Sequence, residues 1–192
     1  MRVFALMIAG SLLGLAPTGT AHASQWMRIG GETSIPYGHL QFCGRQPGEC
    51  QPQGGAAPAP FDAVSSAIAR VNATVNASFS EKADSDVYGQ EDVWTYPETF
   101  ADCEDFALLK RRQLIDAGMA PANLPLTMVK LPGGTAHIVV TVRTDRGDFV
   151  LDNLTDAIKS WDQTGYRFLK LQSPDHAGRW RDVAGASDTP VS

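Results

Sequence analysis

The sequence predicts an α+β fold in which helices pack on an antiparallel β-sheet. Two segments whose apolar residues have helical spacing come first, and four segments of strand character follow them. Short, turn-forming gaps separate the first three of these strands. Helices followed by a run of closely connected strands are typical of an α+β domain, because a parallel sheet would need a long crossover between strands.

The first predicted helix begins at Phe61. Its apolar residues recur every three or four positions: Phe61, Val64, Ile68, Val71, Val75 and Phe79. This spacing puts them on one face of a helix. Pro60 precedes the helix at a position where its first turn tolerates proline. We interpret this helix as a structural element.

The second predicted helix begins near Cys103 and ends near Ala117. Asp102 is a suitable N-cap residue, and acidic residues follow it where the helix dipole is positive. Three basic residues, 110–112, lie toward the other end, and Gly118 is a natural stop.

The predicted strands cover 126–131, 137–143, 148–154 and 166–172. Glycine-containing turns at 132–134 and 145–147 separate the first three, which suggests an antiparallel meander.

Residues 1–23 have the pattern of a signal peptide. Arg2 is followed by an apolar run from Val3 to Leu15, and Ala21-His-Ala23 offers small residues for cleavage. The run of about 13 residues is shorter than the ~20 that span a bilayer. We therefore expect an exported, periplasmic protein with no membrane span after signal cleavage.

The remaining 169 residues (192 minus 23) suit one domain. Residues 24–60 are rich in Gly, Pro and Gln and are predicted to form an extended N-terminal arm and linker. Residues 61–182 are predicted to fold as the domain, and 183–192 to form a flexible tail. The net charge of -5, without a basic stripe, argues against a nucleic-acid partner.

Three cysteines are an odd number for an exported protein. Cys43 and Cys50 flank a short loop that contains Gly and Pro, and an oxidising compartment favours a disulfide between them. Cys103 would then remain a free thiol. Because a free cysteine is often only a small buried apolar residue, its neighbours have to decide its role.

Cys103 lies in the first turn of a predicted helix, where unpaired N–H groups stabilise a thiolate. A nucleophilic cysteine also needs a base and a group that orients the base. His137 opens an alternating strand, and Asp152 lies in an otherwise apolar one. If the two strands are neighbours, Asp152 can accept a hydrogen bond from His137. The residues alone also allow a structural half-buried His137 and an Asp152 that caps a turn.

Three carboxylates flank the thiol: Asp102, Glu104 and Asp105. Their charge should raise the pKa of Cys103, which opposes a helix dipole that is worth about 0.3–1 kcal/mol. A hard cation such as calcium would neutralise these residues and fix the start of the helix. Capping of the helix by Asp102 and Asp105 is the competing explanation.

Several motifs together resemble the bacterial transglutaminase-like cysteine proteinases. These motifs are Tyr96-Pro, Asp102-Cys-Glu-Asp-Phe-Ala-Leu-Leu-Lys110, Leu114 through Gly118, His137-Ile-Val-Val and Leu151-Asp-Asn-Leu154. The resemblance runs from about Phe61 to Trp180, and the arm with Cys43 and Cys50 is also similar to that of some members. One departure is Ala101, where many members have glycine.

The resemblance implies a papain-like, transglutaminase-type fold with Cys103 as nucleophile, His137 as base and then acid, and Asp152 as the orienting group. The Cys103 backbone N–H would donate to the oxyanion, and Gln90 or Trp94 is a candidate for the second donor. Dependence on calcium through the acidic residues around the cysteine is a family property that the resemblance also implies.

The leading hypothesis is a periplasmic cysteine endopeptidase that acts on a protein substrate. The resemblance suggests a large surface adhesin, cut near small residues and released from the cell, which would connect the protein to biofilms. It also leaves open a regulatory receptor in the inner membrane. The sequence leaves two alternatives: amidase or transglutaminase-type acyl transfer on glutamine side chains, and a non-enzymatic cell-envelope binding module.

Overall fold

A computed structural model describes residues 25–184 of the chain. Within this range the helices are α1 (Tyr37–Arg45), α2 (Phe61–Ser78), α3 (Asp84–Tyr88) and α4 (Cys103–Asp116). The strands are β1 (Ile29–Thr33), β2 (Ser80–Glu81), β3 (Phe100–Ala101), β4 (Leu126–Lys130), β5 (Ala136–Thr144), β6 (Gly147–Asp152), β7 (Thr155–Ser160), β8 (Arg167–Ser173) and β9 (His176–Val183). The predicted signal peptide, 1–23, and most of the predicted tail lie outside the described residues.

Seven strands form one sheet in the order β1-β9-β8-β4-β5-β6-β7, and every neighbouring pair is antiparallel. The short strands β2 and β3 pair in parallel beside it. The helices α2 and α4 contact each other; α4 packs on the strands β5 and β6, and α2 packs on β6 and β7. This arrangement confirms the predicted fold class of helices packed on an antiparallel sheet.

The core between the helices and the sheet contains the apolar stripe that defines α2 in the sequence. Ile68, Val71 and Val75 are buried there. Ile138, Val140 and Val142 of β5 belong to the same cluster, whereas Val139 belongs to a smaller apolar cluster with residues such as Val150 and Phe168. The alternation along β5 follows from the period of two in a strand, so that both faces of the sheet are covered.

The N-terminal segment differs from the extended arm and linker predicted for residues 24–60. Its strand β1 pairs with β9 at one edge of the sheet, and its helix α1 buries His39 and Phe42. These elements have too few apolar residues, spaced among Gly and Pro, to produce a clear periodic pattern. Contact with β9 stabilises them instead, and the folded domain therefore begins before Phe61.

The C-terminal strand β9 is also absent from the prediction, whose last strand is 166–172. Ala177, Trp180 and Val183 are buried along this strand. The folded domain therefore includes Val183, the first residue of the predicted tail. Among the described residues, no helix has the length and apolar character needed to cross a membrane.

Candidate active site

Cys103 is the first residue of α4, directly after the extended residue Asp102. The backbone carbonyl of Asp102 accepts a hydrogen bond from Phe106 N at 3.1 Å, as the first turn of a helix requires. Its side chain makes no capping hydrogen bond, although the sequence makes it a suitable N-cap residue. Capping therefore does not explain the carboxylate of Asp102.

The Cys103 thiol is free and half-buried, and it donates a hydrogen bond to Glu104 Oε2 at 3.0 Å. The backbone N–H of Ile138 points at the sulfur from the strand β5. Burial, followed by the charge of Glu104, raises the pKa of Cys103 well above its usual value. The acidic flank thus opposes formation of the thiolate, as the sequence predicts.

His137 and Asp152 lie on the neighbouring strands β5 and β6, and both are buried. His137 Nε2 and Asp152 Oδ1 are 2.8 Å apart. A carboxylate can only accept hydrogen bonds, so Nε2 carries the proton and Nδ1 is left as the basic nitrogen. The predicted pair is therefore formed with a defined tautomer.

Asp152 accepts two more hydrogen bonds, from Leu154 N at 3.1 Å to Oδ1 and from Tyr166 Oη at 2.6 Å to Oδ2. Burial alone would raise the pKa of Asp152, but the hydrogen bonds from His137, Tyr166 and Leu154 outweigh it, and the pKa is lowered. The carboxylate is therefore ionised at neutral pH. Nothing in the sequence around Tyr166 distinguishes it from other residues at the start of a strand. It is therefore not among the site residues that the sequence predicts.

A cavity of about 260 Å³ brings Cys103 and His137 to one surface. Its lining consists of Ala83, Asp84, Glu91, Asp92, Trp94, Asp102, Cys103, Glu104, Met128, Ala136, His137 and Ile138. The nucleophile and base candidates thus share one cavity, with Asp152 hydrogen-bonded to His137 from outside its lining.

The two side chains predicted as second oxyanion donors lie in different surroundings. Trp94 is buried and lines the cavity, but its indole N–H donates to Asp92 Oδ1 at 2.7 Å. Gln90 is exposed and is not part of the lining. Neither side chain offers a free donor to the cavity in this arrangement.

The acidic cluster beside Cys103 differs from the predicted one by one residue. Oxygen atoms of Asp84, Asp102 and Glu104 all lie within 4.8 Å of one another. Asp105 is not in this group, and its Oδ1 accepts a hydrogen bond from Thr95 N at 2.8 Å. Asp84 begins α3, far from Cys103 in sequence, so only the fold identifies it. We call Asp84, Asp102 and Glu104 the acidic triplet.

Like charges and burial perturb every member of the acidic triplet. Burial, then the charges of Glu104, Asp105 and Asp84, raises the pKa of Asp102 to about 9. The pKa values of Asp84 and Glu104 are raised as well, chiefly by burial. One carboxylate oxygen, Asp102 Oδ1, is buried without a hydrogen-bond partner. A crowded set of hard oxygen atoms, one of which has no hydrogen-bond donor, fits a divalent cation such as calcium.

The helix α1 supports the loop that lines the cavity. Gly38 N donates to Asp92 Oδ2 and Arg45 Nη2 donates to Trp94 O, both at 2.7 Å. A Cβ atom at Gly38 would lie 2.3 Å from Trp94 and 2.4 Å from Asp92, so this close approach requires glycine. The segment predicted as a linker is therefore part of the framework of the site.

A disulfide joins Cys43 at the end of α1 to Cys50, the pair that the sequence predicts. His39 lies against both sulfur atoms, with its Nε2 3.9 Å from Cys43 Sγ and 4.0 Å from Cys50 Sγ. Its Nδ1 accepts a hydrogen bond from Trp180 Nε1 at 3.0 Å, and burial lowers its pKa to about 3. His39 is thus a neutral structural histidine, and Cys103 is the free thiol of the described chain.

Three comparisons with known proteins bear on this site. No curated protein matches the sequence. Among solved structures, three structures of LapG from Legionella pneumophila match: calcium-bound LapG, LapG, and EGTA-treated LapG. Each has 24% sequence identity, a TM-score of 0.50 and coverage of 56% of this chain, which demonstrates a shared fold. The match covers 64%, 63% and 62% of the three LapG chains, less than two thirds of their length.

The family model described as bacterial transglutaminase-like cysteine proteinase matches residues 29–188. This range contains the acidic triplet, Cys103, His137 and Asp152, and it also takes in β1 and α1, which the sequence prediction placed outside the domain. The match covers most of the chain, and the LapG structures have the same fold. The chain therefore belongs to the bacterial transglutaminase-like cysteine proteinase family.

Proposed function

We propose that this protein is a cysteine endopeptidase with Cys103 as nucleophile, His137 as base and Asp152 as the group that orients His137. The observation that carries the proposal is the buried hydrogen bond of 2.8 Å between His137 Nε2 and Asp152 Oδ1, next to a cavity that also contains Cys103. Family membership supports the reaction class. The arrangement corresponds to a nucleophile, a base and a third group that fixes the tautomer of the base.

In the proposed reaction, His137 Nδ1 takes the proton of the Cys103 thiol, and the thiolate attacks the carbonyl carbon of a peptide bond. His137 then gives this proton to the leaving amine as the C–N bond breaks, which leaves a thioester on Cys103. Water, activated by His137, hydrolyses the thioester and regenerates the thiol. The Cys103 backbone N–H, at the start of α4, is the proposed first donor to the oxyanion. The sequence candidates for the second donor, Gln90 and Trp94, are less well supported, since neither offers a free side-chain donor to the cavity.

We further propose that the acidic triplet holds calcium. The buried Asp102 Oδ1 without a hydrogen-bond partner and the three mutually close carboxylates support this ligand set over the one with Asp105. When bound, the cation supplies positive charge that offsets the three carboxylates. Glu104 currently accepts the hydrogen bond of the Cys103 thiol, so a change in its partners alters how available that thiol is to His137. The existence of a calcium-bound LapG with this fold is consistent with such a site.

The signal-like pattern of residues 1–23 supports export to the periplasm. We propose a protein substrate there, with a large surface adhesin as the specific candidate and an inner-membrane receptor as a candidate regulator. The open cavity beside Cys103 supports access by an extended polypeptide. Cleavage of an adhesin would release it from the cell and reduce biofilm formation.

A library of internally quenched peptides tests the reaction class. In calcium, we expect wild-type protein to cleave a subset of the peptides, with new N-termini visible by mass spectrometry, and Cys103→Ala to cleave none. Release of ammonia from glutamine without peptide cleavage would instead indicate an amidase or transglutaminase. If Cys103→Ala cleaves as fast as wild type, the proposed nucleophile is wrong.

Expression of the wild type and Cys103→Ala in a bacterial host that lacks the endogenous protein tests the substrate. The set of surface proteins released into the medium by wild type and retained with Cys103→Ala would contain the substrate. Equal release by both would contradict an adhesin-releasing role. A binding module without activity would also predict equal release, so the peptide library is needed to separate these two outcomes.

A further inference from the structure

Tyr166 contacts both residues of the His137–Asp152 pair. Its hydroxyl donates to Asp152 Oδ2 at 2.6 Å, and its ring meets the imidazole of His137 edge to face, with 6.2 Å between ring centroids. Tyr166 comes from the loop before β8, whereas His137 and Asp152 come from β5 and β6. The three side chains thus come together from three separate segments of the chain.

We infer that Tyr166 is a positioning residue for peptide hydrolysis, because its hydroxyl holds Asp152 Oδ2 and its ring contacts His137. This inference rests on the proposed function and assigns a further residue to it. Tyr166 does not line the cavity that contains Cys103, so it acts through Asp152 and His137 rather than on the substrate.

The hydrogen bonds of Asp152 divide between its two oxygens. Oδ1 accepts from His137 Nε2 and from Leu154 N, and Oδ2 accepts from Tyr166 Oη. The terminal torsion of aspartate has a broad, roughly two-fold preference, so a carboxylate held on one side alone can rotate and weaken its bond to the imidazole. A donor on the opposite oxygen restricts this rotation. Tyr166 therefore fixes the direction in which Oδ1 presents itself to His137.

Tyr166 is suited to be a permanent donor. Burial and the hydrogen bond to Asp152 raise the pKa of its phenol, so the hydroxyl keeps its proton at neutral pH. The backbone of Tyr166 is held in turn: its N–H donates to Thr164 Oγ1 at 3.2 Å, and Thr164 Oγ1 donates to Trp161 O at 2.8 Å. Gly165, with φ of 72°, allows the left-handed turn between them.

Tyr166→Phe tests the inference, because it removes the hydroxyl and keeps the ring against His137. Tyr37→Phe is the matched control, since Tyr37 is 68% exposed on α1. Both are assayed as the full chain in calcium, on the peptide that wild type cleaves fastest. We expect Tyr166→Phe to lower kcat on the order of 10-fold or more with KM unchanged, because a hydrogen bond to a charged group is lost from the catalytic step. Tyr37→Phe should match wild type.

Two further measurements separate positioning from a loss of stability. In a double-mutant cycle, Tyr166→Phe should cost nothing further in an Asp152→Asn background, whereas a purely structural role would lower stability and activity equally in both backgrounds. In proton NMR, the His137 Nε2–H signal should shift or broaden in Tyr166→Phe and not in Tyr37→Phe. If kcat and this signal are the same in Tyr166→Phe and Tyr37→Phe, the inference is overturned.

Cys103→Ala, measured beside these variants, separates failure of this inference from failure of the proposed function. If Cys103→Ala is inactive and Tyr166→Phe is fully active, only the role of Tyr166 is wrong. If Cys103→Ala retains activity, the proposed function itself is wrong, and the NMR signal still reports whether Tyr166 orients the His137–Asp152 pair.

Discussion

The carboxylates beside the proposed base, His137, and the proposed nucleophile, Cys103, lie in opposite hydrogen-bonding environments. On the His137 side, Asp152 accepts three hydrogen bonds and its pKa is lowered. On the Cys103 side, Asp102 has a buried oxygen without a partner, and its pKa is raised to about 9, first by burial and then by neighbouring carboxylates. Both residues are aspartates that border the same proposed active site.

The difference lies in the neighbours. Asp152 is surrounded by an imidazole, a phenol and a backbone N–H, all of which donate. Asp102 is surrounded by the carboxylates of Asp84, Glu104 and Asp105, which only accept. The chain itself supplies the hydrogen-bond donors around Asp152. Around Asp102 the neighbouring side chains are other carboxylates, whose negative charge a bound cation would offset. The His137–Asp152 half of the site is therefore preformed, whereas we propose that the half with the acidic triplet is completed only when a cation binds.

Asp152→Asn should produce the largest effect, because it breaks the preformed half. An amide can donate to His137 Nε2 and so favour the wrong tautomer, which leaves Nδ1 protonated and unable to act as a base. We expect kcat/KM to fall on the order of 10³- to 10⁴-fold. Asp156→Asn, at an exposed position on the adjoining strand β7, should remain close to wild type. A loss of less than 10-fold in Asp152→Asn would show that His137 does not need this partner.

Calcium should have the second largest effect if, as we propose, it binds the acidic triplet. At a concentration 100 times its Kd, a ligand of the folded state adds about 2.7 kcal/mol to the free energy of unfolding. For a chain of this size that corresponds to a rise in Tm of roughly 5–10 °C. Thermal unfolding in calcium and in EGTA measures this rise directly.

Asp84→Asn should remove most of the rise in Tm that calcium causes, because it takes one ligand from the acidic triplet. Asp86→Asn is the control, since Asp86 is exposed on the same helix, α3. An unchanged rise in Asp84→Asn would mean that Asp84 is not a ligand and would favour the set that the sequence predicts, Asp102, Glu104 and Asp105.

In chelator, the two aspartates should make stability depend on pH in opposite directions. The lowered pKa of Asp152 means that its contribution is present above the unfolded value of about 3.9 and is lost as the pH falls below it. The folded protein keeps the proton of Asp102 up to about pH 9, whereas the unfolded chain releases it near pH 4. Asp102 therefore makes the protein less stable as the pH rises from about 4 toward 9.

Urea unfolding at pH 5, 7 and 9 in EGTA measures this decline. We expect the free energy of unfolding to fall by an amount on the order of 1 kcal/mol attributable to Asp102, discounted for its partial exposure. Asp102→Asn should flatten the decline, and saturating calcium should do so in wild type. A wild-type protein whose stability rises steadily over this range would contradict the account of Asp102.

The helices and strands that sequence predicts correctly are those with a strong periodic pattern. Both α2 and α4 begin at the predicted residues, Phe61 and Cys103, and β4 begins at the predicted Leu126. The elements that were missed owe their stability to contacts far away in sequence. The strand β9 carries charged residues between its buried ones, and β1 contains Gly30 and Gly31, so that neither has the regular alternation of an independent strand.

The same distinction applies to the site. Cys103, His137 and Asp152 stand out because each is a reactive side chain at the start or end of a recognisable element. Asp84 and Tyr166 do not, since their neighbours in sequence are ordinary polar or strand residues. Their roles follow only from contacts in the folded structure. Asp84, in α3, lies close to Asp102, which precedes α4, and the hydroxyl of Tyr166 donates a hydrogen bond to Asp152. Sequence could thus point to Cys103, His137 and Asp152, but not to Asp84 and Tyr166, which the fold brings next to them.

Glu91→Gln should give the smallest effect, and it tests whether the proposed cation site extends beyond the acidic triplet. Glu91 is exposed and lines the cavity, but it is not one of the three residues whose oxygens lie within 4.8 Å of one another. Its charge should therefore act on calcium only through solvent, with a change in Kd of about twofold at low salt that disappears as salt is added. Calorimetric titration with calcium at two salt concentrations measures both. A larger loss that persists at high salt would mean that Glu91 is itself a ligand, and that the cation site extends beyond the acidic triplet along the cavity lining.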